Sequence, residues 1–124
     1  MQCLELAVSL LRLSCASLVL IAMTSAQAHE PVARCFLMDA NTIRCRGVTN
    51  DGDEMPGARM DVITHDGRTL LQGKLSSNST MSFARPAQAF YVLFEIAPGL
   101  QTIVEQDEIR LPNAKQRKAQ WLRP

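Results

Sequence analysis

Short apolar segments alternate with turn signals at intervals of about ten residues along most of the chain. Alternating apolar and polar positions are typical of strands that bury one face of a sheet, and short strands at this spacing are typical of a β-sandwich. We therefore predict an all-β fold, an antiparallel β-sandwich of about seven strands. The predicted strands are Val32–Met38, Thr42–Thr49, Ala58–Thr64, Arg68–Leu75, Met81–Ala84, Phe90–Ala97 and Thr102–Gln106.

The segment 90–97 is the most apolar of these and is predicted to be a central strand. Its core side is either the set that starts at Phe90 or the alternate set with Tyr91 and Leu93. We favour the first, because it leaves Tyr91 and Glu95 on the wetter side of the sheet. In segment 58–64 the same alternation predicts Met60, Val62 and Thr64 on one face and Arg59, Asp61 and the following His65 on the other.

Cys35 and Cys45 lie on the first two predicted strands. Opposed residues of an antiparallel hairpin have a constant sum of residue numbers, and the register that pairs these cysteines also pairs Met38 with Thr42 around a three-residue turn. Opposed Cα atoms at a non-hydrogen-bonded site are about 4.5 Å apart, within reach of a disulfide. A metal-binding thiol pair is the alternative, but it favours tighter spacing and a reducing compartment. We predict a Cys35–Cys45 disulfide.

Residues 1–28 have the layout of a secretory signal peptide, which we expect to be helical. Arg12 precedes the apolar run Leu13–Ala22, and Ala26-Gln27-Ala28 is a small-x-small motif of the kind that signal peptidase accepts. The run is about half of the roughly 20 residues that a membrane helix needs, which disfavours an uncleaved anchor. We predict a mature chain that begins at His29, lies in the periplasm or is secreted, and keeps no stable membrane span after cleavage.

Charge is distributed unevenly along the chain, although the formal net charge is only +1. Residues 29–109 hold seven Lys or Arg and eleven Asp or Glu, whereas residues 110–124 hold five basic and no acidic residues. We divide the mature chain into a β-sandwich domain, residues 29–111, and a short basic C-terminal tail, residues 112–124. The tail lacks a hydrophobic period and is expected to fray; contact with an anionic lipid head group or an acidic partner is the alternative.

Several motifs of the predicted sandwich resemble the carboxypeptidase regulatory-like domain, a transthyretin-like (prealbumin-like) fold. They are Pro56-Gly57-Ala58-Arg59-Met60-Asp61-Val62, Asp66-Gly67, Met81-Ser82-Phe83, Pro86, Phe90-Tyr91-Val92 and Ala97-Pro98-Gly99. The resemblance spans roughly residues 35–102 and is nearest to the small exported type similar to periplasmic domains of nickel and cobalt uptake systems. In carboxypeptidases this domain is an accessory without catalytic residues, so the resemblance implies a module that is not an enzyme. Leu100 stands where the uptake-type domains often carry a histidine.

His29 is the main candidate for metal chemistry. A mature N-terminal histidine offers both its α-amine and its imidazole to one metal, and nitrogen donors favour copper or nickel among the common divalent ions. Glu30 is adjacent in sequence, and His65 could supply a third nitrogen if its strand end lies near the N-terminus. An unliganded terminus and a solvent-facing His65 are the alternatives that involve no metal.

Three functions follow from these observations. The first is a small exported, non-catalytic binding module of the bacterial cell envelope, which acts through a protein partner and whose exposed edge strands could add to the partner's sheet. The second is a periplasmic accessory protein for copper or nickel that uses His29. The third, a copper monooxygenase, is disfavoured by the size of the mature chain, which can hold one small domain at most. The low net charge and the lack of a basic-aromatic stripe argue against nucleic acid as a partner.

Overall fold

The structure, a computed structural model, describes residues 29–124. The predicted all-β fold is confirmed: this part of the chain forms two antiparallel sheets, one with the strand order β1-β2-β5 and the other with the order β4-β3-β6-β7. The strands are β1 Pro31–Leu37, β2 Thr42–Thr49, β3 Arg59–Thr64, β4 Thr69–Lys74, β5 Thr80–Ala84, β6 Phe90–Ala97 and β7 Leu100–Glu105. The predicted signal peptide, residues 1–28, lies outside the described residues.

Turn residues determine where most strands begin and end. Gly67 and Gly99 both have positive φ, 89° and 81°, a conformation that glycine adopts without steric cost. The turn at Gly99 is so tight that Ala97 pairs directly with Leu100, and β7 therefore begins two residues earlier than predicted. Three short 3₁₀ turns, Gln106–Glu108, Gln116–Lys118 and Gln120–Leu122, are the helical elements of residues 29–124, and no helix there is long and apolar enough to cross a membrane.

The predicted hairpin of β1 and β2 has the register that the cysteines require. Cys35 faces Cys45, with the Cα atoms 4.0 Å apart and a disulfide between the side chains. The Met38 N–H donates to the Thr42 carbonyl at 2.8 Å and closes the predicted turn. Both cysteines are buried, so the bond lies inside the core rather than on its rim.

The core lies between the sheets and contains the favoured face of β6. Phe90, Val92 and Phe94 are fully buried, and Tyr91 is half-buried on the other side, as predicted. The Phe94 ring reaches the opposite sheet at Gly47, where an added Cβ would lie 2.7 Å from two ring carbons. Phe94 therefore fills the space between the sheets, and only a residue without a side chain fits beneath it.

Asp61 corrects the prediction for β3, because it is fully buried although it lies on the solvent side of the alternation. The Arg59 Nε lies 2.6 Å from Asp61 Oδ2, and the Gly73 N–H donates to Oδ1 at 3.3 Å. The half-exposed Arg59 side chain thus pairs with the carboxylate. Burial of this aspartate is tolerated because it has both a cationic partner and a backbone donor.

The prediction that the basic tail frays is wrong. Trp121 packs on Phe36 of β1 with the ring centroids 5.7 Å apart, and Leu122 is buried. The Arg44 guanidinium on β2 donates to the carbonyls of Trp121 and Arg123 at 3.3 and 3.1 Å. The tail therefore packs on the outer face of the three-stranded sheet.

Candidate functional site

His29 and Glu30 lie beside the loop that follows β2. The His29 Nδ1 is 2.9 Å from the Asp51 Oδ2, and both side chains are more than half exposed. The Glu30 N–H donates to the Asn50 Oδ1 at 3.1 Å, and the Asn50 N–H donates back to the Glu30 carbonyl at 2.8 Å. The loop therefore holds the backbone next to His29 and places one carboxylate on its imidazole.

His65 lies at the end of β3 and contacts a different set of residues. Its Nε2 is 3.3 Å from the Glu105 Oε2, and its ring centroid is 5.6 Å from that of Tyr91. The next residue, Asp66, accepts a hydrogen bond from the Thr64 hydroxyl, which lowers the pKa of the Asp66 carboxyl, and nearby Arg68 lowers it further. These contacts order the hairpin turn and leave His65 exposed.

The structure does not bring His65 to His29, so the condition under which His65 could supply a third nitrogen is not met. Glu105, the partner of His65, is the last residue of β7. The segment that follows pairs with β1 near its C-terminal end, through the bridge between Arg110 and Phe36. His29 precedes the start of β1, whose seven residues span roughly 20 Å. Within residues 29–124, no three His, Cys, Asp or Glu side chains form a group that could hold a metal ion.

The most accessible backbone of the sandwich belongs to β4. Within the described part of the chain β4 has a single neighbour, β3, and every residue of the strand except Gly73 is exposed. Leu70 and Leu71 are each 38% exposed, and Lys74 at its end is the strand's only charged residue. Natural edge strands are usually shortened, charged, bulged or covered, and β4 carries two of these features, Lys74 and a bulge at Leu70, while no second strand of residues 29–124 pairs with it.

Two of the other sheet edges are covered by parts of the same chain. The Leu37 N–H of β1 donates to the Arg110 carbonyl at 3.0 Å, and β7 lies against β1. The remaining edge strand, β5, has five residues and begins beside the tight turn at Ser79, whose φ is 61°. The fully buried Ser79 accepts the Met55 N–H at 2.6 Å and binds the neighbouring loop. Among these edges, β4 is the one best placed to accept another strand.

The sequence predicted exposed edge strands but could not say which edge is open. Strand order is a property of the folded sheets and does not follow from the sequence of one strand. The tail contacts of Trp121 and the turn at Ser79 were also missed. A signal was present for Trp121, because a large aromatic residue in an otherwise polar tail is rarely left in water.

No protein-family model, curated protein or solved structure matches this chain. The resemblance to the carboxypeptidase regulatory-like domain therefore stays a prediction, and function is argued from the geometry described above.

Proposed function

We propose that the protein is a non-catalytic binding module of the bacterial cell envelope, which receives an extended segment of a protein partner along β4. The observation that carries the proposal is the open edge of β4 with its two exposed leucines and a single charged residue, Lys74. In strand addition, backbone hydrogen bonds supply affinity and alternate side chains supply specificity. The buried disulfide supports a location in an oxidising compartment such as the periplasm.

The hydrogen bonds between β3 and β4 show which backbone groups of β4 point away from β3 and could bond to a partner strand. The Leu75 N–H donates to Ala58 of the neighbouring chain segment at 2.9 Å, and the β3–β4 register is unbroken from Lys74 to Leu71. Because the direction of backbone groups alternates along a strand, the N–H of Gln72 points away from β3. This N–H is free to bond a partner strand without disturbing the sheet.

Replacing Gln72 with proline should abolish partner binding while the fold remains. Proline removes the outward N–H, and sheets tolerate it on an edge where that N–H faces solvent. A photo-crosslinking residue at Leu71 of the exported protein should give a discrete adduct with an envelope protein. We expect its yield to fall at least about tenfold in the Gln72→Pro variant, as loss of about 1.4 kcal/mol of binding energy requires.

Gln72→Ala is the matched control, since it removes the side chain and keeps the N–H, and its adduct should match that of the parent protein. A crosslinker at Leu111, which is 62% exposed and lies away from β4, should give no such adduct. Equal adducts from both positions, or an adduct that survives Gln72→Pro, would contradict strand addition at β4.

A second candidate function, transition-metal handling by a mature N-terminal histidine, is favoured by the contact between His29 and Asp51. Processing after Ala28 frees the α-amine of His29, and this amine, the Nδ1 and the Asp51 carboxylate are then three donors for Cu(II) or Ni(II). Copper and nickel bind such nitrogen and oxygen donors in tetragonal geometry. The ion would replace the His29–Asp51 contact of 2.9 Å.

This second candidate predicts that affinity for Cu(II) depends on the position of the first residue. We expect Kd to rise at least about tenfold when one alanine precedes His29, because the amine then no longer closes the chelate ring. Asp51→Asn should weaken binding less, and His65→Ala should leave it unchanged. Isothermal titration of the exported proteins measures each value; equal affinities of the His29 and Ala-His29 forms exclude this function.

A further inference from the structure

The outer face of the three-stranded sheet presents two arginines directly opposite each other. Arg34 of β1 and Arg46 of β2 are cross-strand partners, and both point away from the core because the neighbouring Cys35 and Cys45 point into it. Like charges at directly opposed positions of a sheet repel each other. Arg34 is exposed and has no acidic side chain within 4 Å in the described part of the chain, so this repulsion is not offset there by a close carboxylate.

The guanidinium of Arg46 makes few hydrogen bonds within the described residues. Its Nη2 lies 3.5 Å from the Glu54 Oε1, which is long for a charge-assisted hydrogen bond. Its Nε is buried and has no hydrogen-bond partner within residues 29–124. A guanidinium has donors on a planar fork that matches the two oxygens of a carboxylate, so Arg46 has donor capacity left for an anionic ligand.

Two grooves meet at Arg46 and Trp121, which line both. The larger, of about 470 Å³, also has Asn78 and Gln120 in its walls. The smaller, of about 310 Å³, also contains Arg34 and the cross-strand pair Val32 and Val48. The larger groove thus combines Arg46 and Glu54 with Trp121, whereas the smaller one combines two arginines with Trp121 and an aliphatic wall.

We infer that these grooves bind an acidic peptide segment, with one carboxylate between Arg34 and Arg46 and a neighbouring apolar side chain against Trp121. The exposed Glu54 lines the larger groove, and the exposed Asp51 and Asp53 flank Gly52 of the smaller one; these carboxylates would be repelled by an extended anionic surface such as a membrane. A single carboxylate would bind in the smaller groove, whose charged lining residues are Arg34 and Arg46, and would compete with Glu54 for Arg46. This site is independent of the proposed strand addition, because β4 belongs to the other sheet.

Trp121 is the only tryptophan of the chain, so its fluorescence reports binding at this site directly. Acetyl-Leu-Glu-Leu-amide should change the emission saturably, and its Gln counterpart should bind at least about tenfold more weakly. The substitutions Arg46→Gln and Arg34→Gln should each raise the Kd of the Glu peptide by about tenfold or more. Arg85→Gln removes the same charge from a groove at the His65 end and should leave Kd unchanged.

Equal binding of the Glu and Gln peptides, or an equal loss in the Arg85→Gln variant, overturns the proposal. Inorganic phosphate and phosphatidylglycerol vesicles are the remaining probes. An emission change as strong with phosphate as with the Glu peptide, or one seen only with vesicles, overturns the assignment to an acidic peptide. Circular dichroism of each arginine variant confirms that a lost signal does not come from unfolding.

Discussion

The Phe94→Ala protein is expected to unfold with a free energy about 3–5 kcal/mol lower than that of the parent protein. Phe94 is fully buried and crosses the space between the sheets to Gly47, so its removal leaves a cavity that neither sheet can close alone. Urea unfolding, followed by circular dichroism, measures the difference. Ile103→Ala is the control, since its half-exposed side chain should cost less than about 1 kcal/mol.

A double-mutant cycle with Gly47 tests the contact itself. Gly47→Ala places a methyl group against the Phe94 ring and should destabilise the protein by about 1–3 kcal/mol. In the Phe94→Ala background the same methyl group fills part of the cavity, so the combined loss should be smaller than the sum of the two single losses. Additive losses would mean that the ring does not lie on Gly47.

Loss of the Cys35–Cys45 disulfide is expected to lower the stability by about 2–3 kcal/mol, since the bond closes a loop with a sequence separation of 10. The fold should survive, because the apolar side chains of β3 and β6 fill the core without it. Thermal unfolding of the Cys35→Ala/Cys45→Ala protein should show a midpoint lower by roughly 8–20 °C.

Reductant provides the control for this prediction. Dithiothreitol should lower the midpoint of the parent protein and leave that of the double alanine variant unchanged. Peptide mapping under non-reducing conditions should recover residues 35 and 45 in one linked fragment. Free thiols at both positions in exported protein would show that the hairpin does not form with this register.

Features that depend on the local sequence pattern, such as strand bounds and the register of a hairpin, could be predicted from the sequence. The β2 and β6 segments have the predicted bounds, and the register of Cys35 with Cys45 followed from the fixed geometry of hairpins. The strand order could not be predicted from the sequence, because β5 does not pair with β4, which precedes it in the chain, but with β2 in the other sheet. Two apolar strands with the same alternation can belong to either sheet, and only the folded chain determines which edge stays open.

The candidate sites were less predictable for the same reason. The sequence suggests His29 and His65 as ligands of one metal because both are histidines. In the structure they lie at opposite ends of the sandwich, separated by the length of the seven-residue strand β1. Asp61 was expected in solvent, and its burial depends on Arg59 and on a backbone N–H of β4. The tail has no hydrophobic period because it is held by the Trp121 ring and by two backbone carbonyls, and not by an apolar face that repeats along the segment.

The attachment of the tail matters for how the protein is handled in the laboratory. A purification handle fused after Pro124 would begin one residue beyond the Arg123 carbonyl that Arg44 holds, and would crowd the tryptophan. A protein shortened to residue 111 would lack Trp121 and leave Phe36 uncovered on β1, which favours aggregation. A handle inserted at the exposed Asp66-Gly67 turn avoids both problems.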